Sequence, residues 1–134
     1  MVCVARRAAG LLAAAVVLGS VCPVVANDFP FGSELMLDAS PMRGSKRIPM
    51  IEIEEDGAAS IDLWCASVRA QATVGDGTIS IVASPPEAAP CTPERQSSDE
   101  ALLAALAGAT SWHRRGDVVE FDGAAKLRFR LMTN

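Results

Sequence analysis

Tyrosine is absent from this 134-residue chain, histidine occurs once, and four Phe and two Trp are the only other aromatics apart from that histidine. A core must therefore be built from Ile, Leu, Val and Met, with Phe29, Phe31, Phe121, Phe129, Trp64 and Trp112 as the large fillers. With His113 as the single imidazole and no CxxC or HxxH spacing, the chain shows none of the usual zinc-ligand patterns. Also missing is any run of basic residues. Arg43, Lys46 and Arg47, and the pair Arg114 and Arg115, are the closest approach to one, and they read as solvated strand ends and turns.

What is present begins with a secretory signal. MVCVARR precedes the apolar run AAGLLAAAVVLGSV, and CPVVAND places Val24 and Ala26 at the −3 and −1 positions of a small-residue cleavage site. Residues 1–26 are expected to be removed. The uncharged stretch from Ala8 to Ala26 barely reaches the length needed to span a bilayer of about 30 Å, and its Ala, Gly and Val content disfavours a retained anchor. Val21 before Cys22 argues against lipidation, which wants a small residue there. Residues 27–134 then form a single domain with 10 basic and 16 acidic residues, a net charge of −6. Such a domain is repelled by nucleic acid and by anionic lipid. It is expected to be a periplasmic or secreted monomer with no membrane span after cleavage.

Alternation identifies the strands. Ser33–Asp38 is a short candidate, and ASPMRGSK after it is a loop. In RIPMIEIE, Ile51 and Ile53 share one face and Glu52 and Glu54 the other, with Pro49 placing the start at an edge or bulge. Ser60–Cys65 puts Ile61, Leu63 and Cys65 on one side and Asp62 and Trp64 on the opposite one. Val68–Val74 and Thr78–Ala83 flank the GDG turn of a hairpin. SPPEAAPCTPE holds four prolines and excludes regular helix or central strand. A helix follows, read from a Ser97/Glu100 capping box with Asp99 and Glu100 at the positive end of its dipole, an apolar stripe of Leu102, Leu103 and Leu106, and a stop near Gly108. SWHRR, VVEF and KLRFRLM return to strand. The fold class expected is mainly β with α+β character, a curved antiparallel sheet or lipocalin-like barrel with one short helix before the last strands.

Several of these segments together carry a resemblance. IEIEEDG, IDLWC, VRAQATVGDGTISIV, APCTPE, the helix DEALLAALAGATSW, GDVVEF and KLRFRL follow one another as in the META-domain, or HslJ-like, family of small bacterial envelope proteins. The most specific element is the helix followed by W-x-x-x-G-D-x-V-x-F. The resemblance implies a β-rich, barrel-like envelope domain, linked in some members to heat shock, drug tolerance or secretion, with no family-wide catalytic activity. Where the family often has Gly-Cys-Asn, this chain has Trp64-Cys65-Ala66, and SPPEAAP replaces a threonine-rich approach to the second cysteine. No role for those Asn or Thr side chains therefore carries over.

Chemistry rests on few residues. Cys65 as a nucleophile would need His113 as its base, and neither lies in a recognisable protease context. Cys65, Cys91 and His113 lack metal-ligand spacing, so no metal or cofactor is expected. The acidic group Glu52, Glu54, Glu55 and Asp56 lacks the ligand spacing of a calcium loop. His113 reads as a surface side chain beside two arginines. Once Cys3 and Cys22 leave with the signal, Cys65 and Cys91 are the two remaining cysteines in an oxidising compartment, so a disulfide between them is expected. Closing a loop of roughly 27 residues is worth about 3 to 4 kcal/mol in the chain-entropy model, against a total stability of about 5 to 10 kcal/mol for a small domain. Trp64 and Trp112 are the candidate partner contacts. Trp64 either packs under the Pro-rich loop or lies exposed. The functional expectation is a non-catalytic, exported binding or stress-tolerance module for an envelope protein or small apolar ligand, or else an inhibitor or accessory factor of an envelope protein.

Overall fold

The computed structural model describes residues 28–87 and 89–133. The signal segment and its cleavage site lie outside the described residues. Eight strands and one helix follow in the order β1 (Leu35–Leu37), β2 (Met50–Ile53), β3 (Ala58–Asp62), β4 (Ser67–Val74), β5 (Ile79–Ala83), α1 (Pro93–Ala107), β6 (Ala109–Arg115), β7 (Val118–Gly123) and β8 (Leu127–Leu131). Every strand pair is antiparallel, and the sheet order is β5-β4-β3-β2-β1-β8-β7-β6. Consecutive strands are neighbours in the sheet except β5 and β6, and β1 joins the two halves by pairing Leu35 with both Ile51 and Leu131. The result is a nearly closed up-and-down barrel whose single seam falls between β5 and β6, where α1 makes the connection.

The alternation read from the sequence is what orients the strands. Ile51 and Ile53 of β2, Ile61 of β3, Val68 and Ala72 of β4, Ile79 and Ile81 of β5, Val119 and Phe121 of β7 and Phe129 of β8 all point inward and are buried. Each fully buried Leu, Ile or Phe side chain contributes roughly 1.5 to 3 kcal/mol, so the set far outweighs any single cross-link. The interior is filled by these side chains together with Leu35, Leu63, Leu102, Leu106 and Trp112. Phe29 also belongs to this core, so the short lead-in before β1 caps the barrel. Its ring meets Trp112 edge-on at 5.0 Å between centroids and stacks on Phe121 at 6.4 Å.

Turn chemistry sets the corners. Gly57, between β2 and β3, has φ +88°, and a side chain there would run into the Ala72 carbonyl that passes over the turn. Gly116, with φ +60°, makes the tight turn from β6 to β7. Pro49 precedes β2 by one residue, and β2 lies between β1 and β3 rather than at an edge. Proline is tolerated there because it stands just outside the ladder, where its carbonyl accepts from the Leu37 N–H at 2.9 Å.

The helix begins earlier than the capping box suggests. Thr92 is the N-cap, its Oγ1 accepting from the Arg95 N–H at 3.4 Å, and Pro93 occupies the first turn, where a missing N–H does no harm. Two residues of the Pro-rich segment are thus helical. Ser97 and Glu100 consequently lie within the helix, not at its start. The far end is capped by Gly108, whose N–H donates to the Ala104 carbonyl at 3.0 Å. Among the described residues no helix is long and apolar enough to cross a membrane.

Candidate functional site

The seam between β5 and β6 is where ladder pairing gives way to side chains. Thr78 and Ser111 form one isolated bridge. Beside it the Trp112 backbone N–H donates to the Gly77 carbonyl at 3.1 Å, and its indole Nε1–H donates to the Gly75 carbonyl at 2.9 Å. The GDG turn of the β4–β5 hairpin is therefore an acceptor surface for β6. Trp112, a candidate contact from sequence, is only 8% exposed and is spent on this closure.

The chain between β3 and β4 makes a sharp knuckle at residues 63–66, closed by the Leu63 N–H donating to the Ala66 carbonyl at 2.8 Å. Because β3 ends at Asp62, the alternation that would set Trp64 opposite Leu63 stops there, and both residues are buried. Trp64 is 9% exposed. Both tryptophans are thus buried, and the exposed-aromatic argument for a contact role applies to neither.

Asp99 holds this knuckle from the helix side. It projects from α1, is 5% exposed, and accepts the backbone N–H groups of Trp64 at 2.7 Å, Cys65 at 3.0 Å and Ala66 at 3.3 Å. Those donors belong to a turn with no strand partner, so the carboxylate supplies what a ladder supplies elsewhere. Sequence reasoning placed Asp99 in the first helical turn as a dipole complement. The signal that finds its true role is spacing: Asp99, Leu102 and Leu106 stand at i, i+3 and i+7, so the acid shares the buried stripe of the leucines. From the other side Arg47 Nη2 reaches the Ser67 hydroxyl at 3.0 Å, the Ala66 carbonyl at 3.4 Å and Asp62 Oδ1 at 3.5 Å. Arg47 is thus a clamp on the knuckle as well as a solvated cation.

The knuckle presents Cys65 to the Pro-rich segment, and the Cys65–Cys91 disulfide joins them across a Cα–Cα distance of 5.8 Å. Cys91 immediately precedes the helix cap, so one covalent bond fixes the knuckle, the Pro-rich segment and the start of α1 together. A disulfide-bonded Cys65 has no thiol to act as a nucleophile. Between these elements opens a groove of about 310 Å³ lined by Cys65, Ala66, Pro86, Ala89, Cys91 and Leu103, with Glu87, Gln96, Asp99 and Glu100 as its polar members.

His113 is held elsewhere. On the outer face of β6 its Nε2 lies 2.7 Å from Glu120 and its Nδ1 3.3 Å from Asp122, both on β7. Its partners are carboxylates from the paired strand; alternation turns Arg114 to the other face, whereas Arg115, two residues on, lines the same hollow as His113. The acidic group of β2 is also on the outer surface. A side-chain hydrogen bond with Glu54, then desolvation, then repulsion from Glu54 and Glu34 raise the pKa of Glu52 above the usual carboxylate value.

Comparison with known proteins agrees with this architecture. A protein solved by NMR aligns with 74% of this chain and 88% of its own, with a TM-score of 0.59 and 13% identity. A DUF4847 family protein from Bacteroides vulgatus, solved by crystallography, aligns with 61% of this chain and 57% of its own, with a TM-score of 0.50 and 16% identity. At such identities these likenesses concern the fold alone. No curated protein matches the chain. The META domain model matches residues 33–133, from just before β1 to just after β8, and by that match the chain belongs to the META domain family.

Proposed function

We propose that this protein is an exported, non-catalytic binding module of the bacterial envelope, serving binding or stress tolerance there. The observation that carries the reading is the Cys65–Cys91 disulfide, which ties a turn with no strand partner to the Pro-rich segment and helix start. A staple of this kind persists only where thiols are oxidised, and the N-terminal secretory pattern supplies the route to such a compartment. The filled barrel interior directs attention to the outer surface, where the groove beside the staple combines apolar walls with polar members.

The test is expression of the full chain with a C-terminal tag in a bacterial host, followed by recovery from the periplasmic fraction. Intact mass should give a chain starting at Asn27 with both remaining cysteines oxidised. Two free thiols, or a product confined to the cytoplasm, would refute export as the basis of the reading. Cross-linking the tagged protein in envelope extract then separates two roles. One stoichiometric protein partner indicates an inhibitor or accessory factor, whereas a co-purifying small molecule indicates a ligand-binding module.

A further inference from the structure

The groove between the Pro-rich segment and α1 has a charge pattern that its own residues do not satisfy. Ala66, Pro86, Ala89, Leu103 and the disulfide give it apolar walls, and Glu87, Asp99 and Glu100 give it three carboxyl groups, with no Lys, Arg or His among its lining residues. Asp99 is neutralised only by backbone dipoles, through the N–H groups of Trp64, Cys65 and Ala66. The side chains of Glu87 and Glu100 are exposed and enter no ion pair among the described residues. Several acids elsewhere are matched: Asp62 meets Arg47, Asp28 meets Arg114, Asp38 meets Arg128 and Arg130, and Glu120 and Asp122 meet His113 and Lys126. Glu54, Glu55 and Asp56 are likewise outside these pairs, but the hollow they line has Phe31 as its one apolar side chain and lacks the apolar walls of the groove.

From this complementarity we infer that the groove is a binding site for a small organic cation with an apolar body, such as an aryl-alkyl amine. The apolar part lies against Pro86, Ala89, Leu103 and the disulfide, and the ammonium faces Glu87 and Glu100. A volume of about 310 Å³ falls at the lower end of the range for small-molecule pockets, roughly 300 to 1,000 Å³, which suits one ring and a short chain rather than a folded partner. Asp99 is a positioning residue here. By fixing the backbone of the knuckle it sets one wall of the groove, while the disulfide holds the opposite wall in place. The inference rests on the binding-module reading and names its ligand class.

Titrating the oxidised, exported protein with phenethylamine, phenethyl alcohol and phenylacetate, followed by backbone amide NMR, tests it. The amine should shift the amides of Cys65, Ala66, Gln96 and Leu103 saturably, the alcohol should bind at least roughly fivefold more weakly, and the anion should not bind. In the E87Q/E100Q double variant, whose changes are exposed and leave the fold intact, amine affinity should fall roughly three- to tenfold while alcohol affinity stays put. Glu52→Gln, on β2, should change neither. Equal affinity for the three probes, shifts away from these amides, or no effect of E87Q/E100Q overturns the proposal. A protein that ignores all three probes yet still captures a partner from envelope extract loses this ligand class while keeping the binding-module reading.

Discussion

The two joints of the barrel are built by different means. Where β1 meets β8, three consecutive residues of each strand face one another in regular register, from Leu35 opposite Leu131 to Leu37 opposite Phe129. Where β5 meets β6, one bridge remains beside the two hydrogen bonds that Trp112 donates to Gly77 and Gly75, and α1, which makes the connection, is held to the β3–β4 knuckle by Asp99 and the disulfide. A ladder draws on backbone groups that every residue except proline has, so its side chains are free to vary outside the core. A side-chain seam depends on particular residues. That concentrates sensitivity to mutation in a few positions and leaves the space between the elements as a groove.

Breaking the seam should therefore cost more than equally conservative changes along the β1–β8 joint. Trp112→Ala removes a buried indole together with its hydrogen bond to the Gly75 carbonyl, and should lower unfolding free energy by about 3 to 5 kcal/mol in urea titration. Trp112→Phe keeps most of the volume and should lose only about 1 to 2 kcal/mol. If the two variants were equally unstable, the seam hydrogen bond rather than volume would govern closure. Next in size is the C65S/C91S double variant, expected to lose about 3 kcal/mol as the closed loop regains its freedom in the unfolded state. Hydrogen exchange in that variant should quicken at residues 63–66 and the start of α1 before it quickens in β7 and β8.

Asp99→Asn should cost about 2 kcal/mol. It retains one acceptor oxygen but turns an amide NH2 toward backbone donors that both carboxylate oxygens now serve. A matching loss at Leu37→Val in β1 would remove the contrast between the two joints. The smallest effect concerns charge on the outer face. Since the folded state raises the pKa of Glu52, that group's contribution to stability is full below its unfolded pKa and declines as pH rises through the folded value. Glu54→Gln removes the main cause. It should leave the melting temperature unchanged near pH 3 and raise it slightly at pH 7, a difference limited by solvent screening of these exposed side chains.

Much of the barrel was legible because alternation is a local property. The Ile51/Ile53 pattern, the hairpin at Gly75–Gly77 and the two-faced β8 each declare themselves within a few residues. The Cys65–Cys91 pairing followed from counting the cysteines left by an expected signal cleavage, and the family from the order of segments. Features decided by tertiary contact were harder to see. Trp64 leaves its expected face because β3 stops two residues before it, and nothing in IDLWC marks that stop. The helix start was obscured by two competing signals, a capping box at Ser97 and a run of prolines whose last member turned out to be the first helical residue. Asp99 was misplaced for the same reason, since a helix begun at Ser97 puts it in an exposed first turn. Phe29 looked like a lead-in because its burial is provided by Trp112 and Phe121, far along the chain.

The double engagement of β1 also bears on the order of events in assembly. One edge of this three-residue strand waits for Ile51, but the other waits for Leu131, nearly a hundred residues later. A chain made from its N-terminus presents β1 first and its second neighbour last. Stable closure of the barrel is therefore withheld until β8 has been made. That closure is a long-range event, slow in the manner of sheets with distant partners.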